Sequence, residues 1–336
     1  MTTSREIHLA ARPHGWPTAE TFRLVTVDVP DPGPGQVVIR NQFMSVDPYM
    51  RGRMNDGPSY APPYEVGKVM HGRAVGEVVA SDDPALPVGR VVLHEAGWRE
   101  YAVIDGRHAT PVDPAAVPTV SAYLGVLGMP GLTAYVGLDT IGRPKPGETL
   151  VVAAASGAVG AVVGQLAKIA GARAIGIAGG ADKCRYVVEE LGFDTCLDHR
   201  ESGLGAALDR ACPAGIDVYF ENVGGAVQQA VFPRLNNFAR MVMCGMIAEY
   251  NDRVPQPGPN LMAAVRKRLR IEGFIVSDQF QRLAEYRAKA VPWIRKGRLR
   301  YREDVVEGLE QAPAAFIGLL EGRNFGKLLV RVGAGP

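Results

Sequence analysis

From Thr149 the chain runs Leu150-Val151-Val152-Ala153-Ala154, turns at Ala155-Ser156-Gly157, and continues through Ala158-Val159-Gly160 towards Gly164 and Ala170. An apolar run without alternation reads as a strand covered on both faces, and the small residues from Val159 to Ala170 read as a helix packed closely against it. A buried strand that breaks at a glycine turn and opens a helix has one common setting, a parallel β-α-β unit. The pattern repeats downstream. Ala174-Ile175-Gly176-Ile177-Ala178 is a second strand, and Asp182 to Leu191 is a helix stopped by Gly192. Ile216-Asp217-Val218-Tyr219-Phe220 and Arg240-Met241-Val242-Met243-Cys244 are further strands. This predicts an α/β fold with a doubly wound parallel sheet. Gln165, Lys168 and Arg173 interrupt the apolar stretch from Leu150 to Gly180, so it reads as strand, helix and strand and not as a membrane span.

Ahead of Ser121 the texture differs. Gln36-Val37-Val38-Ile39-Arg40 and Arg90-Val91-Val92-Leu93 are short runs set between turns such as Asp31-Pro32-Gly33-Pro34-Gly35 and Pro87-Val88-Gly89. Such spacing predicts a compact barrel or sandwich. Lys327-Leu328-Leu329-Val330-Arg331-Val332 reads as a last strand that rejoins it. The expected domains are 1–125 with 300–336, and 126–299; 336 residues suffice for both. A net charge of +2 is too small to make nucleic acid or an anionic membrane the main partner. The start, Met1-Thr2-Thr3-Ser4-Arg5-Glu6, shows no signal peptide. The four cysteines, Cys184, Cys196, Cys212 and Cys244, form no C-x-x-C pair, so a reduced, cytoplasmic protein is expected.

The glycine turn also reads as a dinucleotide site, the alternative being a tight strand–helix packing that holds no ligand. Gly157 allows the tight turn and a close approach of pyrophosphate, Gly160 allows helix on strand, and the helix N-terminus offers free N–H groups. Ala155 takes the place of the first glycine of the usual fingerprint. An NAD site carries an acid about 20 residues further on, for the ribose 2′-hydroxyl. Here that place is Ala178-Gly179-Gly180-Ala181, followed by Lys183 with Arg185 near. A small neutral loop and a cation suit the 2′-phosphate of NADPH, although Lys183 could instead be a solvated first-turn residue balanced by Asp182. No histidine pairs with a cysteine at zinc-ligand spacing. His71, in Met70-His71-Gly72-Arg73, lacks a following Glu and reads as a buried or turn histidine.

Several motifs then agree. Ser45-Val46-Asp47-Pro48-Tyr49-Met50-Arg51, Leu127-Gly128-Met129-Pro130-Gly131-Leu132-Thr133-Ala134-Tyr135, Glu221-Asn222-Val223-Gly224-Gly225, Cys244-Gly245-Met246 and Asn324-Phe325-Gly326-Lys327 span nearly the whole chain. Together they resemble the zinc-free medium-chain dehydrogenases/reductases, in the leukotriene B4 12-hydroxydehydrogenase / prostaglandin reductase group. Arg51-Gly52-Arg53-Met54, Leu197-Asp198-His199 and Ala315-Phe316-Ile317-Gly318-Leu319-Leu320 resemble the bacterial NADPH-dependent curcumin reductases within it. The resemblance implies a Rossmann domain plus a GroES-like β-barrel domain, a homodimer, and NADPH-dependent reduction of the C=C bond of an enone or enal. It implies Gly157, Ala158, Val159 and Gly160 on the pyrophosphate and Lys183 on the 2′-phosphate. It further implies Met129, Thr133, Asn222, Cys244 and Asn324 on ribose and nicotinamide, with Phe274-Ile275-Val276 lining the ring. Tyr250 is implied near the nicotinamide, and Tyr49 on the substrate side.

The residues leave alternatives beside this. Tyr49 could simply pack beneath Pro48. His199, which replaces a tyrosine common in the group, could contact phosphate or be an exposed loop residue. Two Pro-rich segments, 55–64 and 251–260, could rim a pocket or be plain surface. A quinone reductase of the same fold, or an NADPH-binding protein without turnover, would share most of these motifs. An alcohol dehydrogenase would want zinc ligands to ionise its alkoxide.

Overall fold

The computed structural model describes residues 2–333. The described chain divides into two compact units, one of residues 2–125, 303–324 and 328–333, the other of 126–302 and 325–327. Set beside the expected boundary at 300, residues 300–302 and 325–327 lie with the second unit; residues 334–336 of the expected return are outside the described residues.

The second unit is built on six parallel strands. They are β1 (Thr149–Ala153), β2 (Arg173–Ala178), β3 (Thr195–Asp198), β4 (Ile216–Glu221), β5 (Leu235–Met243) and β6 (Arg270–Gly273), in the order β3-β2-β1-β4-β5-β6. The chain crosses between them on α1 (Gly160–Ile169), α2 (Ala181–Glu189), α3 (Leu204–Ala211) and α4 (Gly225–Val231). The order reverses between β1 and β4, which opens a crevice at the carboxyl ends of those strands. Val151, Ile175, Ile216 and Tyr219 are fully buried along the sheet, as covering on both faces requires. Two glycines set how tightly α1 packs. A β-carbon on Gly160 would lie 2.3 Å from the Ala154 carbonyl oxygen, and one on Gly164 would lie 1.8 Å from the Phe193 ring. The stretch Leu150–Gly180 is thus β1, α1 and β2, and among the described residues no helix is long and apolar enough to cross a membrane.

The first unit is an antiparallel sheet. Its central strand, Gln36–Ser45, pairs with Ala74–Ser81 and Tyr101–Asp105. Leu329, Val330 and Arg331 of the last strand pair with Ser45, Met44 and Phe43, so the chain does rejoin this sheet. A separate hairpin joins Thr3–Leu9 to Phe22–Asp28. Phe22 and Trp98 stack at 6.2 Å, and Phe316, on the helix Ala312–Leu320, meets both edge-on.

His94 is buried in this unit with both ring nitrogens engaged. Its Nδ1 accepts the Ala96 N–H at 3.1 Å, so Nε2 is the donor, to Asn41 Oδ1 at 2.8 Å. A proton on Nδ1 would oppose the Ala96 N–H, and burial, followed by the charge of Arg99, holds the imidazole down to about 3. The unfolded chain protonates its histidine near pH 6.5. The contribution of His94 to stability is therefore complete above that pH and is lost as pH falls towards the folded value. Between pH 7 and pH 5 the loss is about 2 kcal/mol. Urea midpoints at the two pH values should show it, with His94→Gln flattening the fall by that amount; equal slopes in both proteins would contradict it.

Candidate functional site

The crevice is lined by the turns that follow the six strands. After β1, Ala154 takes a left-handed conformation, at φ 54°. Its carbonyl then accepts the Gly157 N–H at 2.9 Å. The turn is so tight that a β-carbon on Gly157 would meet that carbonyl at 3.2 Å. The helical ladder of α1 starts with Ala161 N–H on Gly157 and Val162 N–H on Val159. The amides of Ala158, Val159 and Gly160 belong to the first turn, where no carbonyl of the same helix can reach them. Gly157, Ala158, Val159 and Gly160 thus form a bare cradle with N–H groups at a helix N-terminus, which fits a pyrophosphate.

After β4, Asn222 donates its side-chain amide to the Ala153 carbonyl at 2.8 Å, tying the ends of β1 and β4 across the switch point. Glu221, fully buried, is the hub of this region. Its carboxyl accepts Val223 N–H at 2.7 Å, Gly224 N–H at 3.0 Å and the Tyr219 hydroxyl at 2.8 Å. Burial pushes its titration up against those donors. The Glu221 carbonyl in turn accepts Cys244 N–H at 3.0 Å and Gly245 N–H at 3.2 Å.

The segment after β5 is pinned to the turn after β4. Ile247 N–H donates to Asn222 and Ala248 N–H to Val223, while Glu249 accepts the Gly225 N–H at 3.0 Å. This brings Tyr250 back over the strand end. A β-carbon on Gly245 would lie 2.8 Å from the Tyr250 hydroxyl. Glu249 and Glu221 were not among the residues singled out from the sequence; their partners are far along the chain, and only the position of Glu249 beside Tyr250 hints at its role. Cys244 sits at the same strand end. Burial, then the charge of Glu221, pushes its thiol up to about 12, so it is a neutral contact group.

On the helix Met129–Val136, the Thr133 hydroxyl donates to the Met129 carbonyl at 2.8 Å. The segment Phe274-Ile275-Val276 follows β6. The Phe274 ring stands edge-on to Phe220 at 6.4 Å and lies close to Gly137.

After β2, the Gly179–Gly180 turn enters α2, whose first turn carries Lys183. Arg185, the second cation noted there, pairs with Asp182 at 3.3 Å. His199, just past β3, is exposed, and its ring lies against Gly179: a β-carbon there would be 2.9 Å from Nε2. Desolvation, with Arg200 and Lys183 against Asp198, holds His199 below its ordinary value, which makes it a neutral group near pH 7.

Two of the expected residues belong to the first unit. Asn324 directly precedes Phe325, which packs edge-on against Tyr186 of α2 at 5.1 Å with the Arg302 guanidinium 4.0 Å from its ring. Tyr49 opens the short helix Tyr49–Arg53. Burial, then the charges of Asp47, Tyr64 and Glu95, raises its hydroxyl well above its ordinary value, so it stays a donor. In the segment 55–64, Tyr60 is exposed, whereas Tyr64 is buried and donates to the His71 carbonyl at 2.6 Å. His71 is exposed and lies in no turn, so it is neither of the two things expected of it. Among the described residues no group of His, Cys, Asp and Glu converges to hold a metal ion.

The chain is similar along its length to known oxidoreductases. Residues 5–112 match a family model described as the N-terminal domain of oxidoreductase, and residues 158–296 one described as zinc-binding dehydrogenase. An Escherichia coli (strain K12) protein named NADPH-dependent curcumin reductase is 50% identical over 331 residues, 96% of this chain and 95% of that one. A Nicotiana tabacum protein named 2-alkenal reductase (NADP(+)-dependent) is 42% identical over 92% of this chain and 90% of its own. The solved structure of CurA from Vibrio vulnificus in complex with NADPH superposes with a TM-score of 0.94 at 47% identity, covering 98% of this chain and 100% of that one.

Proposed function

This chain belongs to the zinc-free medium-chain dehydrogenase/reductase family, and we propose that it uses NADPH to reduce the C=C bond of α,β-unsaturated ketones and aldehydes, of curcumin, alkenal or prostaglandin type. The observation that carries the reading is the placing of Tyr250. Its hydroxyl is held over Gly245 at the end of β5, beside the switch point at which a dinucleotide's nicotinamide half binds.

The bound cofactor supplies a hydride for the β-carbon of the substrate. What the chain must do is stabilise the charge that then grows on the carbonyl oxygen, until a proton adds at the α-carbon. A neutral hydroxyl in a fixed position suits that role, because it needs no reorganisation as the charge develops. Tyr250 is assigned as this donor. Tyr49, held protonated by burial and then by the charges of Asp47, Tyr64 and Glu95, is assigned a hydrogen bond to the substrate. Gly157 to Gly160 hold the pyrophosphate, and Lys183 holds the 2′-phosphate. Asn222, Cys244, Met129, Thr133, Phe274, Ile275, Val276 and Asn324 are assigned to the ribose and nicotinamide. His199 is placed beside the adenosine phosphate as a neutral group.

We extend this to assembly and setting. The edge strand β6 and the segments beside it expose Phe238, Leu261, Met262, Val265 and Ile271. An open apolar strand edge invites pairing with a second copy, so the protein is assigned a homodimer. Its four cysteines are all free, in keeping with a cytoplasmic protein.

The loss of reduced-nicotinamide absorbance with a panel of enones, a quinone and a saturated ketone tests the function. Turnover is expected on enones with NADPH preferred over NADH, and Tyr250→Phe is expected to lower kcat by about a hundredfold. Tyr49→Phe is expected to act mainly on the KM of the enone. Turnover of the quinone alone would assign a quinone reductase, and tight NADPH binding without turnover of any acceptor would make this a binding protein. Light scattering should give about twice 35.9 kDa; a mass near the single-chain value would remove the homodimer.

A further inference from the structure

The turn between β2 and α2 has no side chain of its own at Gly179 and Gly180, and Gly180 is left-handed at φ 99°. What covers it comes from the end of β3. A β-carbon on Gly179 would lie 3.0 Å from Arg200 Nε, and one on Gly180 would lie 3.6 Å from Arg200 Nη1. The flat guanidinium is therefore laid against a stretch of bare backbone that any other residue pair would obstruct. Its origin is fixed as well. A single carboxylate oxygen of Asp198 accepts the N–H of Gly180 at 2.9 Å and the N–H of Arg200 at 2.9 Å, clipping the two turns together.

The charge of Arg200 is not matched by a carboxylate. Among the described residues no ion pair within 4.0 Å engages it, although Arg185 on the neighbouring helix is paired with Asp182. Asp198, two residues before it, has one carboxylate oxygen turned to backbone amides. Lys183 is carried on the first turn of α2, which follows the same glycine pair. Both cations are near enough to His199 to disfavour its protonation. The turn after β2 is where the adenosine ribose is recognised in this fold.

We propose that Arg200 reads the 2′-phosphate of NADPH together with Lys183, which makes it a residue that determines the preference for NADPH over NADH. This rests on the reading of the crevice as the NADPH site. A guanidinium offers two parallel N–H groups to two phosphate oxygens, whereas a lysine ammonium acts as a point charge. The two residues thus contribute differently, Arg200 supplying oriented hydrogen bonds from the β3 side and Lys183 supplying charge from the α2 side. NADH presents no phosphate, so it gains nothing from either.

Direct titration of the full-length protein with NADPH, NADH and adenosine 2′,5′-bisphosphate tests this, alongside steady-state KM values. Arg200→Gln should weaken both phosphate-bearing ligands about ten- to a hundredfold, the loss of one charged hydrogen-bonding partner, with NADH affinity moving far less. Arg200→Lys should recover part of the loss. If Arg200→Gln leaves the NADPH to NADH ratio intact while Lys183→Ala collapses it, Arg200 is not a phosphate reader and the NADPH site stands. If neither variant changes the ratio and the parent protein does not discriminate, the site reading itself fails and the assignment of Arg200 fails with it.

Discussion

Where β1 gives way to α1, the α-carbon of Gly160 rests on the carbonyl of Ala154 with no room for a methyl group between them. That contact brings the N-terminus of the helix directly over the end of the strand. Its consequence is electrostatic: amides of the first turn, which no intrahelical carbonyl can satisfy, gather above the switch point of the sheet. The same closeness recurs at Gly164 against Phe193, and at Gly176, where a β-carbon would lie 2.7 Å from that of Ala155. A helix spaced by ordinary side chains would stand off by several ångströms, and its amides would no longer converge with the other strand ends.

The remaining strand ends are held by polar links. Glu221 gathers two backbone N–H groups and a tyrosine hydroxyl through its side chain, and two further N–H groups through its carbonyl. Asn222 ties β4 to β1, Glu249 ties the last segment to the first residue of α4, and Asp198 ties the turn after β3 to that after β2. Each of these residues fixes a turn from which another side chain reaches the crevice. A buried carboxyl as densely bonded as that of Glu221 is costly to disturb, since a lost partner leaves an unsatisfied group out of reach of water. The result is a rim whose turns are each held by buried or backbone hydrogen bonds.

Much of this was legible in the chain. The apolar run at β1, the glycine turn and the missing acid after β2 depend on residues close in sequence, so local steric and electrostatic rules suffice to read them. The strand β6 was not read: it has four residues, a mixed pattern, and no period to detect. The helix Ala312–Leu320 is short and apolar almost all round, so it carries no amphipathic stripe, and only the packing of Phe316 on Trp98 explains it. Arg200 and Glu249 were passed over because their roles depend on which turns face one another, which is set by strand order.

Where the hydride goes decides between a double-bond reductase and every other use of this site. An enone reduced with NADPH that carries deuterium at the transferable position of its nicotinamide ring, with the product analysed by NMR, follows that atom directly. Deuterium at the β-carbon, with an ordinary solvent-derived proton at the α-carbon and the carbonyl intact, is the predicted result. Deuterium on the former carbonyl carbon, or a product without label, would contradict the assignment of this site as a double-bond reductase.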